Sequence, residues 1–246
     1  MTKLAIIGGT GFTSIDELEI VDEQTVDTPY GSPSSALIKG NLSGKEVVFL
    51  ARHGVEHTIP PHKINYRANI WALKSIGITD IIAVAAVGGI HKDIPPEKII
   101  IPDQIIDYTH DRKHTYFEDN LSEVTHIDFT HPYSEKLRLL LHTAAKNAGI
   151  DIFNGGTYAV TQGPRLETAA EISRLEKDGC DIVGMTGMPE AALAKELGLG
   201  YACCALSVNW AAGVDNKDIT MEEINTVVKK GVVVLRQILV ATILKT

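Results

Sequence analysis

The sequence predicts a single α/β domain, a sandwich whose central sheet is mixed but largely parallel and is flanked by helices. Three observations carry this. Short apolar runs rich in β-branched residues alternate with stretches of helical periodicity. The runs are apolar nearly throughout, which suits strands covered on both faces. Several helical stretches stop at a glycine, and no repeat, linker or low-complexity tract interrupts the alternation. A chain of 246 residues fits one large domain or two small ones. Nothing marks a boundary, so residues 1–246 are read as one unit.

The strands expected in chain order are "KLAIIG" (3–8), "KEVVFLAR" (45–52), "DIIAVAAV" (80–87), "IIIPDQIIDY" (99–108), "TYAVTQ" (157–162), "DIVGM" (181–185) and "YACCALSV" (201–208). Between them, "INYRANIWALKSIG" (64–77), "SEKLRLLLHTAAKNAG" (134–149) and "LETAAEISRLEKDG" (166–179) read as helices closed by glycine. "PEAALAKELG" (189–198) opens with proline and closes with glycine, as helix-end sterics favour. A last helix begins near Thr220, which with Glu223 makes a capping box in "TMEE".

Composition narrows the function classes. Hydrophobic content of 44% with 22% charged residues is that of a globular protein with a sizeable core. A formal charge of −8 argues against a binder of nucleic-acid backbones. The three cysteines, Cys180, Cys203 and Cys204, form neither a disulfide framework nor a metal-ligand spacing and suggest a reducing compartment. The apolar start is too short for a signal peptide, and "GVVVLRQILVATIL" is broken by Arg236 and Gln237 before it reaches a membrane span. A cytoplasmic protein without membrane or nucleic-acid partners is expected.

In α/β folds ligands gather at the carboxyl ends of strands, so the residues following each strand matter most. After the first strand comes "GGTGF" (8–12). Gly9 and Gly11 fit a dinucleotide fingerprint, but Ser14 stands at its last glycine and no long helical pattern follows. A nest of backbone N–H groups for phosphate, with the Thr10 hydroxyl as an added donor, is the alternative, and a plain tight turn is a third. After "VVFLA" comes "RHGVEH", where Arg52 offers a multi-donor cation beside His53. His53 and His57 have the spacing of a helical metal pair, but Gly54 and "TIPPHK" argue for a loop. "AAVGGI" is another glycine turn, a weak signal alone.

Three further stretches combine with these: "TQGPRLETAAE" (161–171), "GMTGMPEAALAKELG" (184–198) and "ALSVNWAAG" (205–213). With "GGTGF", "RHG" and "NYRAN" (65–69) in the same order, the chain resembles the purine nucleoside phosphorylase / methylthioadenosine phosphorylase family over nearly its whole length. The resemblance implies phosphorolysis. Inorganic phosphate, a co-substrate, attacks C1′ of a purine nucleoside, with no metal or organic cofactor. The chemistry needs a phosphate dianion held under an oxocarbenium-like ribose and hydrogen-bonding groups on the departing base.

By that resemblance Thr10, Arg52, His53 and Thr186 hold phosphate, and Met185 packs under the ribose. Where some relatives carry a hydroxyl residue near Ala85, this chain offers only backbone. In the base pocket, Asn209 stands where adenine-specific relatives have an acid. Its amide can donate a hydrogen bond to N7 or a 6-oxo group. Glu167 stands where 6-oxopurine enzymes accept the N1–H, although a first-turn helix acid is the plainer reading of it. Asn209, Glu167 and His53 are the expected catalytic groups. Ala211 removes a second carboxylate from the base site. Trp210 walls the base pocket or plugs the core, and Asp215 reads as a loop acid.

Met221 falls where ordinary nucleoside phosphorylases place a histidine for the 5′-hydroxyl, and a thioether there suits a methylthio group. Packing at a helix start is the alternative. His126 resembles a residue lent to a neighbouring subunit's 5′ pocket, which implies a homotrimer with shared active sites. The substrate expected is thus methylthioinosine, with methylthioadenosine, or inosine and guanosine, as alternatives within the same reaction. A non-catalytic or dehydrogenase-like nucleotide-binding module is the alternative of another class.

Overall fold

The computed structural model describes residues 3–9, 18–42, 44–119, 121–215 and 217–246. Thr10 and the rest of the first glycine turn after Gly9 lie outside these. Strand β1 (Leu4–Gly8) lies between β4 (Lys45–Ala51) and β5 (Asp80–Gly89), parallel to both. On its other side β5 pairs in parallel with β11 (Gly200–Trp210) along its whole length. These four strands are the centre of the sheet.

Alternation of side chains along β1 explains why the run is apolar throughout. Ala5 and Ile7 enter one core with Ile70, Leu73, Leu193 and Ala194. Leu4 and Ile6 enter the other with Leu141, Leu235, Ile238 and Leu239. Helices α1 (Tyr66–Ser75) and α4 (Glu190–Glu196) supply the first of these faces, and α2 (Glu135–Asn147) and α5 (Met221–Ile243) the second. Each buried Leu or Ile contributes on the order of 1.5–3 kcal/mol, so two full layers hold the central strands. A smaller cluster, including Ile172, Leu175 and Val183, seats α3 (Ala169–Lys177).

All five expected helices form, each within a few residues of its expected span. The glycines ending the first four, Gly77, Gly149, Gly179 and Gly198, have φ between +66° and +87°, the left-handed stop that side chains disfavour. At α5 the Thr220 hydroxyl accepts from the Glu223 N–H, and α3 carries a complete capping box between Thr168 and Glu171.

The strands need more correction. The expected strand 99–108 is two: β6 (Ile99–Ile101) pairs with β11 and β8 (Ile152–Asn154), while β7 (Gln104–Asp107) pairs with β9 (Thr157–Val160). Pro102 falls at the break, where a residue without an N–H cannot continue a ladder. Strands β2 (Glu19–Gln24), β3 (Leu37–Leu42) and β8 were not expected. Of the strand pairings among the described residues six are parallel and four antiparallel. One antiparallel pairing matters for the site: β10 (Ile182–Gly184) runs back along the end of β5. It delivers Met185 and Thr186 over the carboxyl half of that strand.

Candidate active site

A cavity of about 310 Å³ opens over Ala85–Gly88 at the end of β5. It is walled by the exits of β1, β4, β10 and β11, and it gathers most of the residues singled out in the sequence. Arg52, His53, Glu167, Met185, Thr186, Asn209, Ala211 and Met221 all line it.

Arg52 follows β4 directly and is only 1% exposed. Its Nε and Nη2 donate to the two oxygens of Glu190 at 2.7 Å each, and Nη1 donates to the Val84 carbonyl at 2.8 Å. Burial works to lower the arginine's pKa, but the Glu190 carboxylate outweighs it and the charge is locked on. Glu190 is itself fully buried and also accepts from the Tyr201 hydroxyl at 2.8 Å. The fork leaves one N–H on each Nη for an anion. Gly9 packs against this guanidinium: a Cβ there would lie 2.6 Å from the Val84 oxygen and 3.1 Å from Arg52 Nη1. The glycine is needed for that close approach.

His53 lies next to it, buried, with Nδ1 2.8 Å from the Ile59 carbonyl. A carbonyl only accepts, so Nδ1 carries the hydrogen and Nε2 is a bare acceptor in the neutral ring. Burial, and then the Arg52 charge, push its pKa down to about 4. His57, in the left-handed region at φ 53°, places its ring against that of His53 at 4.5 Å between centroids. The two rings meet in a loop, tilted by 43°, rather than projecting from one helix face.

On the opposite wall, the Thr161 hydroxyl donates to Glu167 Oε1 at 2.6 Å, leaving the other carboxyl oxygen free of that contact. Glu167 precedes the N-cap Thr168, so it is not a first-turn acid; Glu171 fills that role. Met185 packs against Gly163, where a Cβ would collide with its Sδ. Thr186 is buried beside it.

Asn209 owes its presentation to a bulge: the register of β11 against β5 shifts between Ser207 and Asn209. Bulges re-aim side chains in this way. Its Nδ2 donates to the Trp210 carbonyl at 2.6 Å. One expected donor is therefore engaged, and Oδ1 with the second N–H remains. Met221, first residue of α5, stands at the mouth and is 63% exposed. Trp210 lines a neighbouring cavity with Asp215 rather than this one. Asp215 accepts from the Lys217 N–H at 3.2 Å, as a loop acid does. His126 is exposed and does not line the cavity of its own chain.

Sequence reasoning missed Glu190, Thr161 and Arg112. Glu190 was legible only as the first acid of a helix; its burial against Arg52 comes from two segments 138 residues apart. Thr161 opens "TQGPRLETAAE", where nothing in the sequence gives its hydroxyl a role. Arg112, in "THDRKH", reads as part of a solvated charge run.

A family model described as "Phosphorylase superfamily" matches residues 3–244, and the chain belongs to that family. It is similar to a probable S-methyl-5′-thioinosine phosphorylase of Pseudomonas syringae pv. tomato, at 57% identity over 94% of each chain. A 6-oxopurine nucleoside phosphorylase of Pyrococcus furiosus is 46% identical over 94% of this chain and 88% of its own. Among solved structures, a mutant adenosine/methylthioadenosine phosphorylase from Schistosoma mansoni in complex with methylthioadenosine superposes with a TM-score of 0.94 at 34% identity. The match covers 99% of this chain and 91% of that one.

Proposed function

We propose that the protein catalyses phosphorolysis of S-methyl-5′-thioinosine, releasing hypoxanthine and 5-methylthioribose 1-phosphate. The observation that carries this reading is one cavity with Arg52, His53 and Thr186 at its floor, Glu167 on its wall, and Asn209 and Met221 at its mouth. The names of the similar proteins support it.

Each group has a part. The two free N–H positions of Arg52 and the Thr186 hydroxyl hold phosphate, with Thr10 as a further donor from the glycine turn. Neutral His53 accepts at Nε2 from a protonated phosphate oxygen or a ribose hydroxyl. Met185 packs beneath the sugar. As the C1′–N9 bond lengthens, phosphate charge opposes the cationic ring and electrons move onto the purine. The leaving hypoxanthine takes a proton from water at N7, balanced by the proton the attacking hydrogenphosphate gives up. The N7–H then donates to Asn209 Oδ1, while the remaining Asn209 N–H donates to the 6-oxo group. Glu167, steadied by Thr161, accepts the N1–H. Adenine would set acceptor against acceptor there, at about 1–3 kcal/mol.

At the 5′ end the Met221 thioether favours methylthio over hydroxyl. His126 serves the pocket of a neighbouring subunit in a homotrimer, a role that suits an exposed residue outside the lining of its own chain's cavity. The enzyme needs no cofactor and works in the cytoplasm, in keeping with its three free, buried cysteines. Incubation with phosphate and methylthioinosine tests the reading: mass spectrometry should find the two products in equal amounts, and free 5-methylthioribose in place of the phosphate ester would reject it.

A further inference from the structure

Arg112 has no part in the cavity lining, yet it is only 8% exposed. No carboxylate among the described residues accepts from it. Instead Nη1 donates to the carbonyls of Met185 at 2.9 Å and Met188 at 2.6 Å. Nη2 donates to those of Thr161 at 3.2 Å and Gln162 at 2.8 Å, and Nε to Gln162 Oε1 at 3.1 Å. The guanidinium also lies over the Tyr66 ring at 5.5 Å and reaches its hydroxyl at 3.3 Å. Asp111, in the left-handed region at φ 55°, turns the chain just before it.

We propose that Arg112 is a positioning residue: it clamps the ribose-side loop 185–188 to the base-side loop 161–167, fixing Met185 relative to Glu167. The proposal rests on the phosphorolysis reading for its substrates. Burying a cation without a counter-charge is costly, and its acceptors are carbonyl dipoles from those two loops alone, plus one hydroxyl and one amide. The loops also meet at Gly163 and Met185, so the clamp sets a contact on Met185, which lines the site. Through Thr161, whose hydroxyl holds Glu167, the effect of Arg112 extends to base recognition. A lysine cannot substitute, because one ammonium lacks the planar fork that spans carbonyls on both sides.

The test is R112K, compared with wild type in thermal unfolding, kcat, nucleoside KM and the rate ratio of methylthioinosine to methylthioadenosine. The expected result is a KM raised ~10-fold or more, a lower kcat and a ratio narrowed ~10-fold, in protein that still folds. A folded R112K with wild-type kcat, KM and ratio overturns the proposal. If R112K does not fold, Gln162→Met decides: it removes one acceptor at a half-exposed position, and an unchanged KM and ratio overturn the proposal there. Wild-type protein that cleaves no nucleoside would instead remove the phosphorolysis reading. In that case calorimetric titration with hypoxanthine still decides on Arg112, ~10-fold weaker binding to R112K supporting it and equal binding refuting it.

Discussion

The floor and the mouth of the cavity are built on different physics. At the floor, Arg52 and Glu190 are almost fully buried and bound to each other through two 2.7 Å contacts before any ligand arrives. At the mouth, Met221 is largely exposed and Asn209 is anchored by one hydrogen bond to its neighbour's backbone. The floor is part of the core, so changing it endangers the fold as well as the chemistry. The mouth is carried on a bulge and a helix start, where substitutions change which substrate fits and leave the core alone. Common chemistry at the floor with adjustable specificity at the mouth is what this division allows.

The largest effect should come from Arg52→Met. It strands the buried Glu190 charge, at about 3–5 kcal/mol, and removes the anion site. Denaturant unfolding should show the loss, and Arg52→Met combined with Glu190→Leu should recover stability without recovering activity. Recovery of both would mean that Arg52 is structural only. Next comes Asn209→Asp, which should shift the ratio of 6-oxo to 6-amino substrates by ~10-fold or more toward the 6-amino base, read from kcat/KM. Met221→His should raise relative activity on 5′-hydroxyl substrates by only ~3- to 10-fold, because the position is open to water.

A separate effect, on stability and not on substrate choice, concerns His53 and pH. Its folded pKa of about 4 lies below the ~6.5 of an unfolded chain, so the unfolded state binds more protons between these values. Stability therefore falls as pH drops from ~6.5 to about 4 and levels off below. His53→Gln should flatten that slope in urea titrations across the window. An unchanged slope would place the titration elsewhere.

The helices and central strands were legible because one run of residues carries each signal: β1 and β5 are apolar on both faces, and glycine marks the first four helix ends. The edge was not. β2, "EIVDEQ", is exposed at nearly every position and has no hydrophobic period to read. β3 is interrupted by Gly40 and Asn41, and β8 is three residues long. The cavity-lining residues were legible through family resemblance, since they follow strand ends in a fixed order. Their partners were not: Glu190 and Arg112 meet Arg52 and Met185 only through the folded topology, and Thr161, six residues from Glu167, meets it through a loop with no period to read. Nothing in "THDRKH" distinguishes the arginine that turns inward from the charges around it.

The most direct measurement is the initial rate of base release from methylthioinosine, methylthioadenosine and inosine, each with and without inorganic phosphate. If an anion on the Arg52 floor attacks a sugar whose purine is clasped by Glu167 and Asn209, release depends on phosphate and is fastest for methylthioinosine. Release of hypoxanthine at the same rate without phosphate, or no release from any of the three, would contradict the account.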